Sequence, residues 1–195
     1  MKQTQNIRCN ACGEAFSTEI ITMIDVNQNP ELKGSVISGE LFLKECPHCG
    51  KKQLVKYPLI YIDKAEKLLL CLSDTSLKIE NLEGMTGRIV PDVGSLIEKI
   101  KIFDAGLDDL VIEMCKFVTL QELGKDVTLK YLRTEGAEGD IILAYPENAQ
   151  MQMLAIGLNV YEDCRGILQR NPSITQAASG GLVRIDQQWL KNFFV

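Results

Sequence analysis

Cys9-Asn10-Ala11-Cys12-Gly13 and Cys46-Pro47-His48-Cys49-Gly50 are the same short phrase written twice, a C-x-x-C turn closed by glycine. Two thiolates three residues apart on a tight turn can share one metal ion. The glycine lets the backbone swing beneath that ion with its amides aimed at the sulfurs. Two such knuckles make Cys9, Cys12, Cys46 and Cys49 a tetrahedral sulfur set. Structural Zn(II) is the expectation, with Fe(II) and a redox dithiol as the alternatives. The interval from 13 to 45 is long for a four-cysteine site, but loop-closure entropy rises only slowly with length.

The remaining cysteines, Cys71, Cys115 and Cys164, stand singly in apolar or helical surroundings and read as small buried hydrophobes. With four of seven cysteines in metal spacing, a reducing compartment and hence the cytoplasm are expected. The start of the chain, Met1 to Asn6, is polar, and no run of 18 apolar residues occurs, so neither export nor membrane insertion is expected.

Four thiolates close a metal's coordination shell and leave no position for a reactive water. His48 is the only histidine and reads as an exposed knuckle residue, so no Ser-His or Cys-His pair can be assembled around a second one. Phosphate-loop, nucleophile-elbow and dinucleotide-binding signatures are absent as well. A thioredoxin-like motif would open a helix after a strand, whereas both knuckles lie on turns between strand-like segments. The expectation is a non-enzymatic protein, with an oxidation-sensitive zinc switch as the redox alternative.

The chain has 195 residues, is 46% hydrophobic and carries a formal charge of −5, enough apolar content for one large or two small domains. Residues 1 to 62 hold seven basic against six acidic side chains, and residues 63 to 195 hold 14 against 20. Neither half has the basic footprint of a phosphate-backbone binder. The candidate nucleic-acid contact is Lys44, Lys51, Lys52 and Lys56, with Tyr57 and Tyr61 as stacking partners. Four lysines on a near-neutral module bind phosphates weakly and salt-dependently. A protein partner is therefore the favoured reading, nucleic acid the runner-up, and self-association is open.

An α+β fold follows from the periodicities. A zinc ribbon of antiparallel strands is predicted over residues 5–73, with strands at 15–26 and 53–62, a short helix opening at Pro30, and a hairpin through 67–72 with a short helix as the alternative there. Residues 74–88 read as a linker opening a second domain, 74–195. That domain begins with a helical pair over 92–123, capped by Asp92 and by Leu107-Asp108-Asp109 and stopped by Gly106 and Gly124. The charges Glu98, Lys99, Lys101, Glu113 and Lys116 read as its solvated face. A β-rich hairpin or meander over 127–158 follows, then a short helix at 161–168, a loop over 171–181, and a terminal amphipathic helix over 186–194.

Cys-Asn-Ala-Cys-Gly, Asn-Pro-Glu-Leu, Glu-Cys-Pro-His-Cys-Gly, Tyr-Pro-Leu-Ile-Tyr-Ile-Asp and Glu-Lys-Ile-Lys-Ile-Phe-Asp-Ala-Gly-Leu-Asp-Asp occur in that order. Together they resemble the CpXC-domain family of prokaryotic proteins, named for paired Cys-Pro-x-Cys motifs. The resemblance spans roughly residues 7 to 124. It implies two knuckles on Cys9, Cys12, Cys46 and Cys49 and a prokaryotic cytoplasmic protein, and it implies no activity. The first knuckle departs from the motif, with Asn10 in the place of proline.

Overall fold

In the computed structural model, residues 1–74, 82 and 84–194 are described. The chain divides into two compact units, Met1–Ile97 and Glu98–Val195.

The first unit opens with a strand that the polar N-terminus does not advertise. β1 (Lys2–Arg8) pairs antiparallel with β2 (Ala15–Ile21), and the first knuckle forms the hairpin's end. The predicted strand over 15–26 is two strands, because the chain changes partners at Thr22: its amide donates to Met1 O, and its carbonyl accepts from the Ile60 amide. β3 (Met23–Asp25) then runs parallel to β6 (Leu59–Asp63). The helix expected at Pro30 is α1 (Glu31–Ile37), ended by Gly39 at φ 78°.

A 3-10 turn, Glu40–Phe42, leads into β4 (Leu43–Glu45), which pairs antiparallel with β5 (Lys52–Leu54) across the second knuckle. The strand predicted over 53–62 is broken before Pro58. There Tyr57 turns inward against Phe42, with ring centroids 5.4 Å apart. The expected hairpin follows, with β6 antiparallel to β7 (Leu68–Leu72), all five of whose residues are buried. Cys71 is among them, and burial pushes its thiol pKa up, as a small core hydrophobe requires.

Part of the predicted linker lies outside the described residues, at 75–81 and 83. Its end is instead β8 (Thr86–Val90), which runs parallel to β7 and completes a mixed sheet in the order β3-β6-β7-β8. The first unit therefore extends past 74, and the division falls within α2 (Val93–Asp104). Asp92 caps that helix by accepting from the Ser95 amide at 2.7 Å, and Gly106 ends it with φ 67°.

The second unit holds α3 (Asp109–Leu123), capped by Asp108 and ended by Gly124. A meander follows: β9 (Lys130–Glu135), β10 (Asp140–Glu147) and β11 (Gln150–Ile156), antiparallel in the order β11-β10-β9. α4 (Leu158–Gln169) packs on α3 and brings Cys164 toward Cys115, both buried. The thiol hydrogen bond from Cys164, with burial, pushes Cys115 well above the usual thiol range. The segment expected as a loop is α5 (Pro172–Ala178), because proline suits a first helical turn and Ile174 and Ala178, four residues apart, both reach the core. α6 (Gln187–Lys191), capped by Asp186, closes the chain with Leu190 fully buried.

One expectation fails here in an informative way. Glu98, Lys99, Glu113 and Lys116 are each at most 4% exposed. Asp109 through Thr119 buries nine of eleven residues, so the N-terminal half of α3 is covered nearly all round and its charges have nowhere solvated to go. They pair instead. Lys116 bonds Glu98 and, at 2.8 Å, Glu113, while Lys99 meets Asp109 at 2.7 Å. Lys130 reaches Glu98 at 3.0 Å, and the Tyr131 amide donates to the same carboxylate at 2.7 Å. Gln187 of α6 donates to the Glu113 carboxylate and carbonyl at 2.9 and 2.8 Å. Three acids and three bases are thus closed against one another. Burial pushes Glu98 up, but the Lys116 and Lys130 ammonium groups and these hydrogen bonds win and bring it to about 2.

Candidate metal centre

The two knuckles are one turn built twice. The Cys9 amide donates to Glu14 O and the Gly13 amide returns to Cys9 O, both at 2.9 Å. In the second knuckle the Cys46 amide donates to Lys51 O at 2.9 Å and the Gly50 amide to Cys46 O at 2.8 Å. Gly13 and Gly50 carry φ of 78° and 68°, a left-handed conformation that costs other residues about 1–2 kcal/mol. The repeated motif dictates this local geometry, and the hairpins β1-β2 and β4-β5 carry the two turns to each other.

All four sulfurs lie within 4.8 Å of one another. Cys9 Sγ is 3.6 Å from Cys49 Sγ, and Cys12 Sγ is 3.7 Å from Cys46 Sγ. A tetrahedral ion with sulfurs at about 2.3 Å places them ~3.8 Å apart, so the set has the dimensions of a single four-thiolate site. These distances are far too long for a disulfide, and all seven cysteines are free thiols. The first cysteine of each knuckle, Cys9 and Cys46, is buried on Phe16 and Ile7, and the second, Cys12 and Cys49, is exposed.

The charge chemistry suits a cation. The Cys12 and Ala11 amides draw Cys9 down to about 6, the latter bonding the sulfur at 3.4 Å. At Cys12 the Glu14 amide favours ionisation, but burial and hydrogen bonds with the three neighbouring thiols push the pKa up to about 12. Cys49 is raised too: the Lys51 amide lowers it, and burial with the Cys9 and Cys46 thiols outweighs that. A first thiolate forms readily and the next are resisted. A divalent ion at the centre would remove that resistance.

His48 is exposed and outside the sulfur set. Lys51 and Lys52 are exposed and Lys44 is half-buried, while Lys56 is paired with Asp74. Tyr57 and Tyr61 are 2% and 0% exposed, which closes both rings to base stacking and corrects that expectation. Sequence reasoning passed over Gln53, whose carboxamide accepts from the Asn10 amide at 2.7 Å and donates to Arg8 O at 3.0 Å.

Fold and site together define a tetra-cysteine module of two knuckle hairpins on an α+β chain, able to hold one metal ion. The chain belongs to the CpXC protein family, whose model matches residues 7–116, more than half its length. Comparison with curated proteins and with solved structures yields no match. Among the described residues, no helix is long and apolar enough to cross a membrane.

Proposed function

We propose that Cys9, Cys12, Cys46 and Cys49 hold one structural Zn(II), and that the protein is a cytoplasmic, non-enzymatic interaction or assembly module. The sulfur spacing carries the reading. Four sulfurs within 4.8 Å of one another, with two pairs at 3.6 and 3.7 Å, suit a structural zinc ion, and four thiolates would leave it no coordination position for substrate.

A surface for a partner is available on the second knuckle hairpin. Leu43 and Leu54 face each other across β4 and β5 and are 43% and 56% exposed, with Glu45 and Lys52 as the next exposed pair. An apolar centre with a charged rim is the usual composition of a small protein contact. Exposure of Cys12 and Cys49 supports the second reading, zinc release on oxidation.

Elemental analysis of freshly purified protein should give one equivalent of zinc. Capture of a defined partner, lost in a Leu43→Ser, Leu54→Ser variant that keeps its zinc, is the expected interaction result. Sub-micromolar nucleic-acid binding in a gel shift at physiological salt would replace this proposal with the runner-up. Zinc release at low peroxide would favour the switch.

A further inference from the structure

The two knuckles share a turn but differ at the residue after their first cysteine. Pro47 has no amide hydrogen to offer, whereas Asn10 has one, and Gln53 takes it. The Gln53 carboxamide accepts from the residue after Cys9 and donates to the carbonyl of the residue before it, so its two bonds bracket that ligand. Only one orientation of the amide satisfies both, with Oε1 toward Asn10 and Nε2 toward Arg8. Gln53 lies on β5, whose outer face carries Lys52 and Leu54, while Gln53 itself is half-buried and points the other way. A side chain from the second knuckle's hairpin thus plays the part of a neighbouring strand for the first.

We infer that Gln53 is a positioning residue of the metal centre. It holds the Cys9 knuckle in register with the Cys46 knuckle before any ion arrives, and the Asn10 amide is the feature that makes this clamp possible. The sulfurs of Cys9 and Cys49 then meet at 3.6 Å through contacts made by the chain itself. The inference rests on the metal-site reading for its consequence, which is slower release of the ion, whereas the clamp's two bonds join protein atoms only.

Gln53→Leu removes both bonds at similar volume, and Gln53→Glu keeps the acceptor for Asn10 while setting a carboxylate against the Arg8 carbonyl. Asn10→Pro removes one bond, and proline fits because Pro47 occupies the same place in the same turn. Each variant is loaded with Co(II), whose absorption reports tetrahedral thiolate coordination, and release to a chromogenic chelator is timed. Gln53→Leu should keep one equivalent and an unchanged spectrum while releasing the ion about tenfold faster. Asn10→Pro and Gln53→Glu should fall between it and the parent, and the Asn10→Pro, Gln53→Leu double variant should release no faster than Gln53→Leu alone. In the reduced, metal-free protein the Asn10 amide should be protected from hydrogen exchange, with protection lost in Gln53→Leu. Release within about twofold of the parent would overturn the inference, as would an unprotected Asn10 amide in the parent. A protein that takes up no Co(II) would refute the metal reading, while the exchange measurement still decides the clamp.

Discussion

Changing Lys116 to methionine removes one cation from the closed set of Glu98, Lys99, Asp109, Glu113, Lys116 and Lys130. Methionine keeps most of the apolar stem, so the change is one of charge more than of packing. Lys116 is 2% exposed and serves two carboxylates, which are left with weaker company. Glu98 retains Lys130, itself 36% exposed, and the Tyr131 amide, while Glu113 retains Gln187 and Lys99 at 3.7 Å. Removing one partner of a buried ion pair costs roughly 3–5 kcal/mol, and these survivors put the expected loss near the lower end, about 3 kcal/mol. With a urea slope of about 2 kcal/mol/M the midpoint should fall by about 1.5 M. The chain's single tryptophan, Trp189, packs on the core of the second unit, so its fluorescence reports that unit's unfolding. A Glu98→Gln, Lys116→Met double variant should be about 1–2 kcal/mol less destabilised than the sum of the singles, since it removes the stranded charge. A single variant within about 0.5 kcal/mol of the parent, or a double variant equal to the sum, would refute this account.

Three further outcomes are expected. Glu98 has a folded pKa of about 2, below its ordinary 4.5, so its contribution is present above 4.5 and is lost as pH falls toward 2. The Trp189-monitored urea midpoint should therefore drop across that window, and the drop should flatten in Glu98→Gln. Cys49→Ser should abolish tight metal binding and loosen residues 5–73, seen as reduced metal content and faster amide exchange there; full metal content with unchanged thermal stability would contradict it. Ala149 sits at φ 60° in the two-residue turn between β10 and β11, where a side chain is strained, so Ala149→Gly should stabilise by about 1 kcal/mol in the same urea assay.

The knuckles are legible in the sequence because the turn is local: Cys-x-x-Cys-Gly gives its two thiols and its left-handed glycine within five residues. The helix boundaries at Asp92, Gly106, Asp108 and Gly124 are legible for the same reason. What hides is whatever depends on a distant partner. β1 is a polar strand, Lys-Gln-Thr-Gln-Asn-Ile-Arg, and is extended only because β2 lies beside it. The tight turn into β11 uses Asn148-Ala149 where glycine would have announced it. Glu98 and Lys116 look like an ordinary helix surface because ion pairing across two helices and a strand leaves no trace in local periodicity. Gln53 hides for a related reason: nothing near it in sequence reveals that its amide completes a turn more than forty residues earlier.

The alternation of buried and exposed sulfurs sets a direction for dismantling the centre. Cys9 and Cys46 sit on Phe16 and Ile7, while Cys12 and Cys49 face solvent. Were the four thiolates to hold an ion as proposed, a competing chelator or an oxidant would meet one outer thiol from each hairpin first, and the two inner ones would be the last to hold it.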